Sequence, residues 1–205
     1  MSHTPHTRES LSASLSVAGL DAKLAPPLAV FLALLERFDG AVDLVGAGHR
    51  GTRLLEHVLA ALAGAAFVPP HGRLLDVGSG NGLPAVPLLL ACPGVTGVLL
   101  EPRERRWAFL KEVVRELGLA AEVRRERLAD HPARDYDAVT VQGLALRLWR
   151  RGSRERLREG GVALWWTSAA NAATARPGAG FKPVLRLPQP MPASGCLLVW
   201  RRCST

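Results

Sequence analysis

Residues Asp76-Val77-Gly78-Ser79-Gly80-Asn81-Gly82 place three glycines in five positions at the end of the apolar run Arg73-Leu74-Leu75-Asp76-Val77. A short, continuous apolar run that ends in a glycine turn is the pattern of a parallel strand buried on both faces. Leu83 to Cys92 then reads as a helix, with Pro84 and Pro87 confined to its first turn, where a missing N–H does no harm. Strand, glycine turn and helix in that order make a ligand-binding corner. Glycine permits positive φ and lets backbone approach a ligand without an intervening Cβ, and the helix aims its first N–H groups at anything anionic. In an open α/β sheet, ligands bind at the carboxyl ends of the strands near the topological switch point, and this turn occupies that place. Glu101 ends the next apolar run, 19 residues after Gly82, and offers a carboxylate to ribose hydroxyls. The spacing Gly-x-Gly-x-Gly differs from the dinucleotide fingerprint Gly-x-Gly-x-x-Gly.

The alternation continues. Val95 to Leu100 reads as a strand, Arg103 to Leu117 as a helix stopped by Gly118, and Ala121 to Arg125 as a weak third strand. Tyr136 to Val141 is a fourth strand, Leu144 to Arg158 a helix, and Val162 to Thr167 a fifth strand. Phe181 to Leu187 and Cys196 to Arg201, joined by a Pro-rich loop, read as a closing hairpin. The pattern predicts an α/β fold with a doubly wound, mostly parallel sheet. Upstream, residues 24–38 and 52–67 have helical periodicity, and Pro69-Pro70-His71-Gly72 breaks the chain after them. The expected organisation is a helical N-terminal extension, 1–70, packed on a core of residues 71–205 as one structural unit. Residues 1–20 have no basic region followed by an apolar stretch and read as a frayed leader rather than a secretory signal.

Hydrophobic residues make up 48% of the chain, enough for a sizeable core, and no window reaches the ~18 consecutive apolar residues of a membrane helix. Cys92, Cys196 and Cys203 are widely spaced and form no metal-ligand or redox pair; a reducing cytoplasm and no metal are expected. Charge is uneven: residues 1–100 carry 6 basic and 7 acidic side chains, residues 101–205 carry 20 and 11. A GC-rich codon bias explains arginine over lysine, but not why the excess sits in one half. A polyanionic partner, nucleic acid, is the expectation.

Asp76, Glu101 and the glycine loop, taken with the strand order, resemble the class I S-adenosylmethionine-dependent methyltransferases, in which Asp76 would meet the ammonium of an amino-acid-bearing nucleoside. A closer resemblance runs through most of the chain. Asp76-Val-Gly-Ser-Gly-Asn-Gly-Leu-Pro-Ala-Val-Pro87 looks like the signature of the bacterial small-subunit ribosomal RNA guanine-N7 methyltransferases, the glucose-inhibited division protein B family. Glu101-Pro-Arg-Glu-Arg-Arg-Trp-Ala-Phe-Leu110, Glu116-Leu-Gly-Leu119, the preface with His57 and the ending Leu197-Leu-Val-Trp-Arg-Arg202 are similar to segments of that family. The resemblance implies a seven-stranded Rossmann-like sheet, S-adenosyl-L-methionine as cofactor, and ribosomal RNA or the small ribosomal subunit as partner of a monomer. It places Gly78, Gly80, Gly82 and Leu83 around the methionine and adenosine sites. Leu128 and Ala129 would flank the adenine, and Gln142 would stand beside the transferring methyl.

Departures lie on the acceptor side. The family's arginine after the fourth strand is Gln142, within Val141-Gln142-Gly143. Its lysine after the fifth is Thr167, within Trp166-Thr167-Ser168. The acid beside the adenine is Ala129, with Asp130 next door, and the acid after the histidine region is Ala60. Guanine N7 carries a free lone pair, so its methylation needs no general base, and no obligatory acid/base pair is found. His57 reads as a packing or capping residue. Arg147, Arg150 or Arg151, Arg154 and Arg158 recur at helical spacing around Trp149. They are either a phosphate-tracking stripe with a stacking aromatic or a solvated face with Trp149 turned inward. Two further functions stay open: a small-molecule methyltransferase with the same cofactor site, and a non-catalytic RNA- or ribosome-binding protein with a vestigial pocket.

Overall fold

Seven strands form one sheet in the order β3-β2-β1-β4-β5-β7-β6. The strands are β1 (Gly72–Val77), β2 (Val95–Leu100), β3 (Ala121–Arg124), β4 (Tyr136–Gln142), β5 (Leu157–Ser168), β6 (Phe181–Gln189) and β7 (Gly195–Arg202). The helices are α1 (Arg8–Val17), α2 (Ala25–Val42), α3 (Thr52–Leu62), α4 (Ala85–Ala91), α5 (Glu104–Glu116), α6 (Leu146–Arg156) and α7 (Ala169–Thr174). The computed structural model describes residues 7–42, 44, 52–189 and 195–204. The Pro-rich hairpin loop expected before β7 lies largely outside the described residues.

β1, β2, β3, β4 and β5 run parallel, and β7 enters antiparallel between β5 and β6. The order reverses at β1, which pairs β2 on one side and β4 on the other, so a crevice opens at the carboxyl end of β1. Leu74 and Leu75 show why the strand had to be continuously apolar. Leu74 faces the core under α2, α3, α4 and α5, and Leu75 faces the opposite core that includes Trp149 of α6. β6 is an edge strand, and Pro183 and Pro188 blunt its free side.

Of the segment expected as a frayed leader, residues 7–20 depart from that expectation. Thr7 accepts the N–H of Ser10 at 3.2 Å and caps α1. Leu11 and Leu15, one turn apart, are both 0% exposed in the core shared with α2. Four serines in ten residues hid a two-leucine stripe. The helix expected over 52–67 also stops early, at Leu62; a Cβ at Gly64 would collide with the ring of Trp166, so glycine there lets the segment after α3 pass close to β5. α7 was not expected at all; Ser168 caps it by accepting the N–H of Asn171 at 3.2 Å.

Truncating Leu11 to Ala should lower the unfolding free energy by about 2–5 kcal/mol, the range for a buried leucine. A denaturant titration checks this, since a frayed segment would give no change.

Candidate cofactor and acceptor site

The glycine loop is held by the end of β2. The N–H groups of Gly78 and Ser79 both donate to the carbonyl of Leu100, at 2.9 and 3.0 Å. Glu101, 3% exposed, finishes the clamp: Oε2 accepts the N–H of Gly80 at 3.0 Å and Oε1 that of Arg103 at 2.9 Å. Asn81 Oδ1 accepts the N–H of Leu83 at 3.2 Å, and its amide donates to the carbonyl of Leu44 at 3.3 Å, tying the loop to the N-terminal preface.

These elements wall a cavity of about 520 Å³ at the carboxyl ends of β1, β2 and β4, within the range of roughly 300–1,000 Å³ usual for small-molecule sites. Gly78, Gly80, Leu83, Glu101 and Gln142 line it, as expected from the sequence. Gly78 has φ +72° and a Cβ there would lie 3.0 Å from Leu144 Cδ1, so only glycine keeps the backbone at the cavity wall. Gly82 serves differently. A Cβ there would meet Val86 Cγ2 at 2.9 Å and Phe31 at 3.2 Å, so it admits α2 against the loop rather than facing the cavity.

Three further expected site residues lie off the wall. Leu128 is buried beneath α6, where a Cβ on Gly152 would approach its Cδ2 to 2.8 Å; this contact accounts for glycine inside that helix. Ala129 is exposed, and its carbonyl accepts from Arg156, which also donates twice to the carbonyl of His131. Asp76, 1% exposed, sits under the loop. Its Oδ1 accepts the Thr140 hydroxyl at 2.6 Å, and Oδ2 has no hydrogen-bond partner among the described residues. Burial pushes its carboxyl up to about 7, against the opposing hydrogen bonds from Thr140 and Ser79.

Sequence reasoning assigned His57 to packing, but it lines the cavity from α3, with Nδ1 3.5 Å from the Gln142 amide nitrogen. Gln142 Oε1 is buried without a partner among the described residues. Arg103 and Arg106 of the Glu101 segment also line the cavity, which the local sequence did not single out. Of the departures noted above, two meet in space: Trp166 Nε1 donates to the carbonyl of Ala60 at 2.8 Å and docks the preface on the sheet. Thr167 accepts from the Asn171 amide at 3.2 Å and is not on the cavity wall.

On α6, Trp149 is 0% exposed and packs against Trp165 and Trp200, with centroids 5.5 and 5.7 Å away, so it is a core residue and no stacking platform. Arg158 has left the helix for β5, where it pairs with Asp137 at 2.7 Å. Arg147 and Arg151 are exposed, and Arg150 and Arg154 are half-buried.

The sheet is shared with a solved S-adenosylmethionine-dependent O-methyltransferase from Thermotoga maritima, at a TM-score of 0.58 and 14% identity, over 71% of this chain and 65% of that one. Fold, glycine loop and cavity define a class I S-adenosylmethionine-dependent methyltransferase. Residues 25–166 match the family model described as rRNA small subunit methyltransferase G. The chain is 40% identical over 159 residues to the ribosomal RNA small subunit methyltransferase G of Stenotrophomonas maltophilia (strain R551-3), spanning 75% of this chain and 74% of the relative. The protein of that name from Xylella fastidiosa (strain 9a5c) is 35% identical over 145 residues, 69% of this chain and 67% of its own. The chain belongs to the rRNA small subunit methyltransferase G family.

Two outcomes follow. Replacing Glu101 by Ala removes both the clamp and a carboxylate facing the cavity, and should weaken S-adenosylmethionine binding by about 10- to 150-fold, or roughly 1.5–3 kcal/mol. Gly78→Val should do the same through the backbone, and calorimetry reads both. Asp76→Asn should stabilise the apo-protein. The native carboxyl titrates higher when folded than when unfolded, so the folded state carries its penalty in full above about pH 7. The penalty fades as pH falls and is gone below about pH 4. Melting curves of the two proteins should therefore separate at pH 8 and converge at low pH.

Proposed function

We propose that this methyltransferase acts on guanine N7 of small-subunit (16S) ribosomal RNA, with the RNA or the small subunit as partner, in the cytoplasm and as a monomer. The observation that carries the reading is the cavity itself: a glycine-walled cofactor cleft whose other wall, Gln142 and His57, presents hydrogen-bonding groups and no carboxylate to an acceptor. When bound, the cofactor supplies an electrophilic methyl group on a sulfonium. The chain's task is then alignment. Glu101 has lone pairs left for ribose hydroxyls after accepting its two N–H bonds, and Gly78 and Gly80 admit the methionine portion against backbone. N7 offers its lone pair without losing a proton first, so an amide and an imidazole that hydrogen-bond the base suffice and no proton abstraction is required of His57. Leu44, Leu54 and His57 bring the N-terminal preface to the cavity wall, which supports reading it as an extension packed on the core.

Gln142 sharpens the test. Its uncharged amide stands where the family's arginine would offer five donors to guanine or phosphate. Gln142→Arg should raise incorporation of tritiated methyl into ribosomal RNA, and Gln142→Arg/Thr167→Lys should show whether the second lost cation matters from its place off the cavity wall. No RNA methylation by wild type or either variant, with normal cofactor affinity, would reject the ribosomal acceptor and favour a small-molecule one.

A further inference from the structure

Residues 146–186 carry nine basic and two acidic side chains. The fold arranges several of them along α6 and the segment 175–180 that runs beside it. Arg150 and Arg154 lie half-buried under that segment's backbone. A Cβ at Gly178 would come within 3.1 Å of Arg150 Cζ, and one at Gly180 would collide with Arg154 Nε. Both glycines hold positive φ, +76° and +78°, a conformation that favours glycine and brings the strap's backbone close over the two arginine side chains. Arg150 also donates to the carbonyl of Arg176 at 3.2 Å. Among the described residues, none of Arg147, Arg150, Arg154 and Arg176 has a carboxylate within ion-pairing distance, whereas Arg151 pairs with Glu155 at 3.2 Å.

Holding a long, flexible arginine still costs rotamer entropy. A strap that packs over two of them, and hydrogen-bonds Arg150, without supplying a counter-charge points to an anion outside the chain. The position says which anion. Leu144 lines the cavity, Trp165 Nε1 donates to its carbonyl at 3.1 Å, and α6 starts two residues later. The arginine row therefore leads away from the cavity mouth along one helix. With Trp149 buried in the core, the surface offers cations and no exposed stacking ring on α6, the composition of a backbone reader rather than a base reader.

We propose that α6 and the 175–180 strap form the docking surface for the sugar–phosphate backbone of the RNA acceptor. Arg150 and Arg154 are its pre-oriented phosphate forks, and Arg147 and Arg176 flank them. The proposal rests on the RNA reading above and adds the surface and the device that organises it.

The test is the salt dependence of binding of the full chain to a labelled small-subunit ribosomal RNA fragment, followed by anisotropy. Arg150→Gln/Arg154→Gln should lower the log–log slope by roughly 1.4–1.8, at about 0.7–0.9 per phosphate contact. Gly178→Ala removes no charge, yet should lower the slope by about one contact's worth because it displaces Arg150. Arg115→Gln, which loses a cation already paired with Glu112 and Glu116 on α5, should leave the slope unchanged. Cofactor affinity by calorimetry shows that each variant is folded. A wild-type slope for Arg150→Gln/Arg154→Gln, or an equal loss for Arg115→Gln, overturns the surface while leaving the RNA reading standing. A wild-type protein whose RNA binding ignores salt overturns the RNA reading itself, and the surface with it.

Discussion

Glu101 holds two backbone N–H groups from opposite sides of the cleft, one from the glycine loop after β1 and one from the start of α5. Burying a carboxylate is costly unless donors meet its oxygens, and the folded chain supplies one main-chain donor to each oxygen of Glu101. The Gly80 bond fixes the glycine loop against the end of β2, and the Arg103 bond fixes the turn into α5, so both walls of the candidate cofactor cleft are anchored at Glu101. Leu100, one residue earlier, repeats the arrangement with its carbonyl accepting from Gly78 and Ser79. The cleft is thus shaped by backbone groups converging on the end of one strand, and the glycines allow them to come that close.

Charge is handled differently in the two halves. Asp76 is sealed under the loop with one oxygen satisfied by Thr140, a hydrogen bond that links β1 to β4 and so joins the cofactor side to the acceptor side. Its raised pKa is the consequence of burial. On the far side of the sheet, α6 buries a tryptophan and carries a row of arginines, and the neighbouring strap packs over Arg150 and Arg154 without supplying them a carboxylate among the described residues. Arg156, by contrast, is spent internally on the carbonyls of Ala129, His131 and Gly152, where it locks the segment before β4 onto the helix.

β1, β2, β4 and the Val162–Trp166 part of β5 were legible because each is a short apolar run, and burial on both faces leaves that mark in the sequence; the edge strand β3, Ala121–Arg124, is only partly buried and left a weak one. β2 was read to the residue, and the glycine corner predicted the cavity. The N-terminal helix was misread because its stripe, Leu11 and Leu15, is two residues wide in a serine-rich segment; its partner surface on α2 supplies what local propensity lacks. His57 was read as a packing residue because one histidine on an amphipathic helix looks the same whether it faces a core or a cavity.

What the sequence determined by itself was the cofactor half: strand, Gly-x-Gly-x-Gly turn and terminal Glu101 are contiguous or nearly so, and their chemistry is local backbone geometry. The acceptor half was decided by tertiary structure, since His57, Gln142 and Leu144 come from segments up to 87 residues apart and meet only when α3 docks on the sheet through Trp166 and Ala60. The same holds for Gly178 and Gly180, which read as loop punctuation. Their purpose is visible only where their backbone crosses Arg150 and Arg154, because close approach between distant segments leaves no period in a sequence.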